Sequence, residues 1–90
     1  MTKPDPAYVA WSRNLFATIT DGGAWGIPRS GLIFRKRGQR LELTDRMPHD
    51  PDMPVTAAQL REQQDRELAV VAATFGAAGI AVVDNTTERT

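Results

Sequence analysis

The sequence predicts a two-layer α+β sandwich with the element order α-β-β-α-β. Two amphipathic helices cover one face of a three-stranded, mainly antiparallel sheet. Three observations carry this expectation. Apolar residues recur at helical spacing over residues 6–20 and again beyond residue 56. Two alternating apolar and polar runs flank Gly38. A last apolar run, IAVVD at residues 80–84, follows a glycine suited to closing a helix.

Asp5-Pro6 is a helix start: the carboxylate accepts from first-turn amides, and proline gives up a donor that is unpaired there in any case. Tyr8, Trp11, Leu15, Phe16 and Ile19 then form the apolar stripe, with Ser12, Arg13, Asn14 and Thr18 elsewhere on the wheel. Asp21-Gly22-Gly23 is expected to end this helix. WGIPRSG reads as a turn from helix into sheet, built on Gly26, Pro28 and Gly31. In the run LIFRKRGQRLELTD, Leu32 and Phe34 share one strand face and Leu41 and Leu43 share one face of its hairpin partner.

MPHDPDMP, residues 47–54, is too rich in proline and aspartate for a regular element. Thr56 and Gln59 have capping-box spacing, and Leu60, Gln64, Leu68, Val71, Ala72 and Phe75 mark the inner face of the second helix. Its second half, LAVVAATF, is apolar on most sides and is expected to be the better buried half. Gly79 is placed to be the left-handed residue of a Schellman cap in which Phe75 meets Ile80. The strand at residues 80–84 is expected in the middle or covered on both faces, and its expected neighbour is the first hairpin strand, antiparallel. Residues 1–5 and 85–90 are expected to be disordered ends of a single domain spanning residues 6–84.

Ninety residues bury about 60–65% of the surface that the unfolded chain exposes, which leaves room for one core. Eleven basic and eleven acidic side chains cancel, so any attraction to nucleic acid or an anionic membrane must be local. No cysteine is present, so sulfur-based zinc sites, thiolate nucleophiles and disulfides are excluded. No run has the length of a signal peptide or a bilayer span, which makes the cytoplasm the expected location.

Chemistry-bearing clusters are sparse. His49 with Asp45, Asp50 and Asp52 matches no calcium loop, and a solvated acidic loop accounts for it; no metal or other cofactor is expected. Ser12 and Ser30 lack a nucleophile elbow, and His49 is the one imidazole available as base, so the expectation is a protein that is not an enzyme. Gly76-Ala-Ala-Gly79 shares its glycine spacing with the phosphate-gripping loop of KH domains, but it leads into a strand and carries no cation. The candidate binding residues are Trp25, Arg29, Arg35, Lys36, Arg37 and Arg40, because the five cations fall in a stretch free of acids. A basic hairpin of this kind suits a phosphate backbone, but a solvated sheet face, with Glu42 partly neutralising it, is the simpler reading. Trp25 either roofs the core at the helix-to-sheet junction or pairs with Arg29 as an anchor for a protein partner.

The segment GGAWGIPRSGLIF, with MPHDPDMPVT and QLREQQ after it, resembles a group of small uncharacterised proteins encoded by phages of actinobacteria, a likeness covering most of residues 22–64. Nine of the eleven basic residues are arginine, in keeping with a GC-rich genome. The resemblance implies an accessory phage product acting inside a bacterial host, and it brings no catalytic residue. The expected function is therefore contact with a host or phage protein, or self-association as a homodimer. Nucleic-acid binding through the same hairpin is the alternative.

Overall fold

The computed structural model describes residues 4–86, and the outer parts of both expected disordered ends, residues 1–3 and 87–90, lie outside them. Its elements are α1 (Pro6–Thr18), β1 (Ala24–Ile27), β2 (Leu32–Arg37), β3 (Arg40–Arg46), α2 (Ala57–Ala77) and β4 (Ala81–Asp84). The α+β class stands. The sheet, however, has four strands in the order β1-β2-β3-β4, with β1, β2 and β3 antiparallel and β4 parallel to β3.

The extra strand is the first half of WGIPRSG. Trp25 lies opposite Phe34 and Ile27 opposite Leu32, so both turn to the apolar side of the sheet, while Gly26 faces the other way beside Ile33. Pro28 to Gly31 form the hairpin loop, closed by bonds from the Ser30 and Gly31 amides to the Ile27 carbonyl. Adding β1 to the outer side of β2 leaves β3 as the open edge of the hairpin. The final strand therefore pairs with β3 and not with β2, and because a whole helix intervenes it arrives parallel. It is an edge strand with Ala81 and Val83 exposed, not a strand covered on both faces.

The chain ends expected of both helices form, with one shift. The Asp5 carboxylate accepts from the Ala7 amide at 2.8 Å. Thr56 and Gln59 complete both bonds of the capping box. At the other end of α2, the Ile80 amide bonds the Phe75 carbonyl and the Gly79 amide bonds that of Gly76, with Gly79 at φ +84° and both Phe75 and Ile80 buried. Helix α1 stops at Thr18, earlier than the glycine pair, because Ile19 turns extended and packs on the core. The Asp21 to Gly23 segment then runs back along β2: the Gly22 amide bonds the Lys36 carbonyl, and the Asp21 carboxylate accepts from the Gly38 amide at 2.9 Å.

Leu32, Phe34, Leu41 and Leu43 on one sheet face pack against Phe16 of α1 and Val71 and Phe75 of α2, with Ile80 closing the end. Both helices thus cover the same face. Beyond Phe34, Thr44 is an extra residue in β3: Phe34 pairs with Leu43 but Ile33 pairs with Asp45. This bulge reverses the alternation. It sends Asp45 to solvent and Arg46 inward, where its guanidinium binds Asp65 of α2 and Asp84 of β4 at 2.8 Å each and donates to the Thr86 hydroxyl. Thr86, assigned to the tail by the sequence, takes part in this lock, and Asn85, assigned likewise, extends the pairing with β3 through the bond from its amide to the Leu43 carbonyl.

Burial pushes the Asp84 carboxyl up, but bonds from the Thr86 hydroxyl and amide and from Arg46 outweigh it, so its pKa lies below the usual value of 3.8. A depressed carboxyl stabilises the fold above the unfolded pKa and loses that contribution as pH falls through the folded one. Urea midpoints measured from neutrality downward are therefore expected to fall below about pH 4. In Asp84→Asn this component of the fall disappears and stability at neutral pH is lower. An identical pH profile in the variant contradicts the lock.

Candidate functional site: an aromatic cleft between the helices and the first strand

The six residues singled out by the sequence do not form one surface. Trp25 is half-buried on the helix side of β1, its ring stacked on Phe34 at 5.4 Å and tilted against Phe75 at 5.5 Å. Of its two readings, the core roof is the one the packing supports. Lys36 also points to the helix side, where it donates to the Phe16 carbonyl at 2.9 Å and lies 4.3 Å over the Phe16 ring. It closes the C-terminal end of α1, a position that favours a cation.

Arg35, Arg37 and Arg40 occupy the open face of the sheet, each engaged locally. Arg35 donates to the Gly22 carbonyl at 3.1 Å. Arg40 makes two bonds to one oxygen of Glu42, and Arg37 lies 3.8 Å from the other. Glu42 partly neutralises the hairpin, as expected, and Asp45 shares its face, so the linear run of cations is a weakened positive field in space. Only Arg29 stands apart. It is exposed in the β1–β2 loop, and among the described residues its guanidinium has no hydrogen bond or ion pair.

What the fold assembles instead is a cleft of about 210 Å³ lined by Tyr8 and Trp11 of α1, Trp25 and Ile27 of β1, and Glu67, Val70 and Phe75 of α2. The sequence reading put Tyr8 and Trp11 in the core stripe, yet they are 65% and 49% exposed, and Val70, expected in the better-buried half of α2, is 60% exposed. The reason is the roll of α1. Its fully buried line runs through Ser12 and Phe16, with the Ser12 hydroxyl satisfied by the Val9 carbonyl, which brings a small residue against the core and tips Tyr8 and Trp11 toward solvent. Trp11 still touches the core edge-on, 6.0 Å from Trp25 and 6.3 Å from Phe75. The sequence signal for this was Ser12 itself, a small polar residue flanked by the apolar stripe.

A second groove, of about 490 Å³, adjoins the cleft through Glu67 and Val70 and is lined further by Arg29, Ser30, Gln63 and Arg66. Arg66 is held by Glu62 at 2.6 Å. The hydroxyl of Ser30 is buried and has no hydrogen-bond partner among the described residues. A larger concavity, about 630 Å³, lies at the end of the sheet between the Pro28 loop and Met47-Pro48. Its charged lining is Asp45 and the already paired Arg46, so it gathers no free chemistry. His49 bonds the Val55 carbonyl at 2.7 Å, and among the described residues no group of three or more histidines and carboxylates converges as a metal site. Among the same residues no helix is long and apolar enough to cross a membrane. No protein-family model, curated protein or solved structure matches the chain.

Proposed function

We propose that this chain is a small non-enzymatic binding module that grips another protein in the cleft between α1, α2 and β1, with the Arg29 loop at its border. One observation carries the reading: of the five large exposed apolar side chains among the described residues, three (Tyr8, Trp11 and Val70) line that single cleft. Scattered exposed apolar residues need no explanation, whereas convergence of aromatics around a concavity is the composition of protein-binding hot spots. The likeness to small actinobacterial phage proteins supports a partner from the bacterial host or the phage, met in the host cytoplasm. The sequence also allows nucleic acid and a second copy of the chain as partners. The local pairing of Arg37 and Arg40 with Glu42 favours the cleft over the hairpin as the contact surface.

The test is selection of binding peptides from a random displayed library. Enriched peptides are expected to bind the wild-type chain and to lose at least about tenfold in affinity to Val70→Lys, which sets a cation among the aromatics of an otherwise unchanged helix face. Peptides that bind this variant and the wild type equally, or a library that yields no enrichment, would refute the reading.

A further inference from the structure

The lining of the cleft holds one charged group, and an apolar ligand does not answer it. Glu67 is half-buried at its wall, and among the described residues its carboxylate makes no hydrogen bond or ion pair. Covering that carboxylate with an aliphatic anchor removes its water and offers nothing in return. A cation compensates it directly. The other walls suit a cation as well, since Tyr8, Trp11 and Trp25 carry negative ring faces. One face of Trp25 is covered by Phe34 at a 26° interplanar angle, and Trp11 meets Trp25 at 64°, so the rings enclose the cleft from different directions.

We infer that the cleft is an aromatic cage for an organic ammonium group, presented as a lysine side chain of the partner protein, with Glu67 as its counter-ion. The deduction rests on the reading of the cleft as the contact surface and names the chemistry that it recognises. At about 210 Å³ the space is smaller than the several hundred Å³ of a drug-sized ligand site and matches one inserted side chain. The neighbouring Arg29, without an ion pair among the described residues and on the far side of Glu67 and Val70, sets the direction: a segment entering with lysine in the cleft and an acidic residue toward Arg29 satisfies both ends.

Both tryptophans of the chain are in the cage, so intrinsic fluorescence reports on this site alone. Titration with tetramethylammonium is expected to give a saturable change. Uncharged tert-butyl alcohol, of similar shape, is expected to bind at least about fivefold more weakly, the scale of an exposed cation–π contact aided by one charge. Glu67→Gln is expected to remove most of that preference for the cation and leave the alcohol titration unchanged. Equal binding of the two probes, a preference unaltered in Glu67→Gln, or no saturable response to tetramethylammonium by the folded chain overturns the cage. If library-selected peptides still depend on Val70 in that event, the contact surface stands without the cage. If tetramethylammonium binds and no peptide is enriched, the cage stands and the protein-binding reading falls.

Discussion

Replacing Gly31 by alanine is expected to destabilise the protein by about 3 kcal/mol, with a fall in Tm on the order of 15 °C. Gly31 has φ +72°, in the left-handed region. A Cβ there would lie 2.2 Å from the Met47 Cβ, far inside van der Waals contact. Met47 is poorly placed to retreat, because its amide donates to the Gly31 carbonyl at 2.8 Å, and that bond ties the β1–β2 loop to the exit of β3. Backbone strain and overpacking therefore act at one position. Gly38 provides the internal control: it has φ +60° but nothing within 4 Å of an added Cβ, so Gly38→Ala is expected to lose only the conformational cost of about 1 kcal/mol. Urea unfolding of both variants settles the matter, and similar losses contradict the close approach of the two loops.

Gln64→Leu is expected to cost about 2–4 kcal/mol, although leucine is apolar and of similar size. Gln64 is 3% exposed, and its amide nitrogen donates to the carbonyls of Ser30 at 3.1 Å and Met47 at 3.0 Å. One side chain of α2 thus satisfies the two loops that Gly31 and Met47 bring together. Leucine leaves both carbonyls without that donor in a covered position. Gln63→Leu, one residue earlier and exposed, is expected to change stability by less than about 0.5 kcal/mol. A loss in Gln64→Leu no greater than that in Gln63→Leu would sink the keystone role. Because Ser30 and Arg29 border the groove beside the cleft, Gln64→Leu is also expected to loosen that border before the rest of the fold.

These two residues show what the sequence disclosed and what it did not. Elements whose signals are local were legible: the Asp5 cap, the Thr56–Gln59 box, the Phe75–Gly79–Ile80 closure and the turn at Gly38 each depend on residues within a few positions of one another. The inner-face position of Gln64 was legible from periodicity, but its partners come from loops 17 and 34 residues away. Strand β1 was hidden because it has four residues with glycine in the middle and proline after it, which read as a turn until Trp25-Gly26-Ile27 is set against Leu32-Ile33-Phe34. Missing that strand misplaced the last one, since the open edge of the hairpin changes with it.

The candidate site was legible in part for a related reason. Trp25 and Arg29 do sit at or beside concave surfaces, whereas Arg35, Lys36, Arg37 and Arg40 are close to one another in sequence and line neither. Their partners, Gly22, Phe16 and Glu42, are set by strand register and by the end of α1, which a linear charge run does not reveal. Tyr8 and Trp11 were visible as apolar, but an apolar stripe wider than the contact it makes leaves its margin in water. That margin is the cleft.

Amide chemical-shift mapping of the chain with a selected peptide tests the central claim most directly. Perturbations are expected to centre on Tyr8, Trp11, Trp25, Glu67 and Val70, and to extend to Arg29, while Arg35, Arg37 and Arg40 on the opposite sheet face stay unmoved. Shifts concentrated on the β2–β3 hairpin, with the cleft silent, would contradict the account.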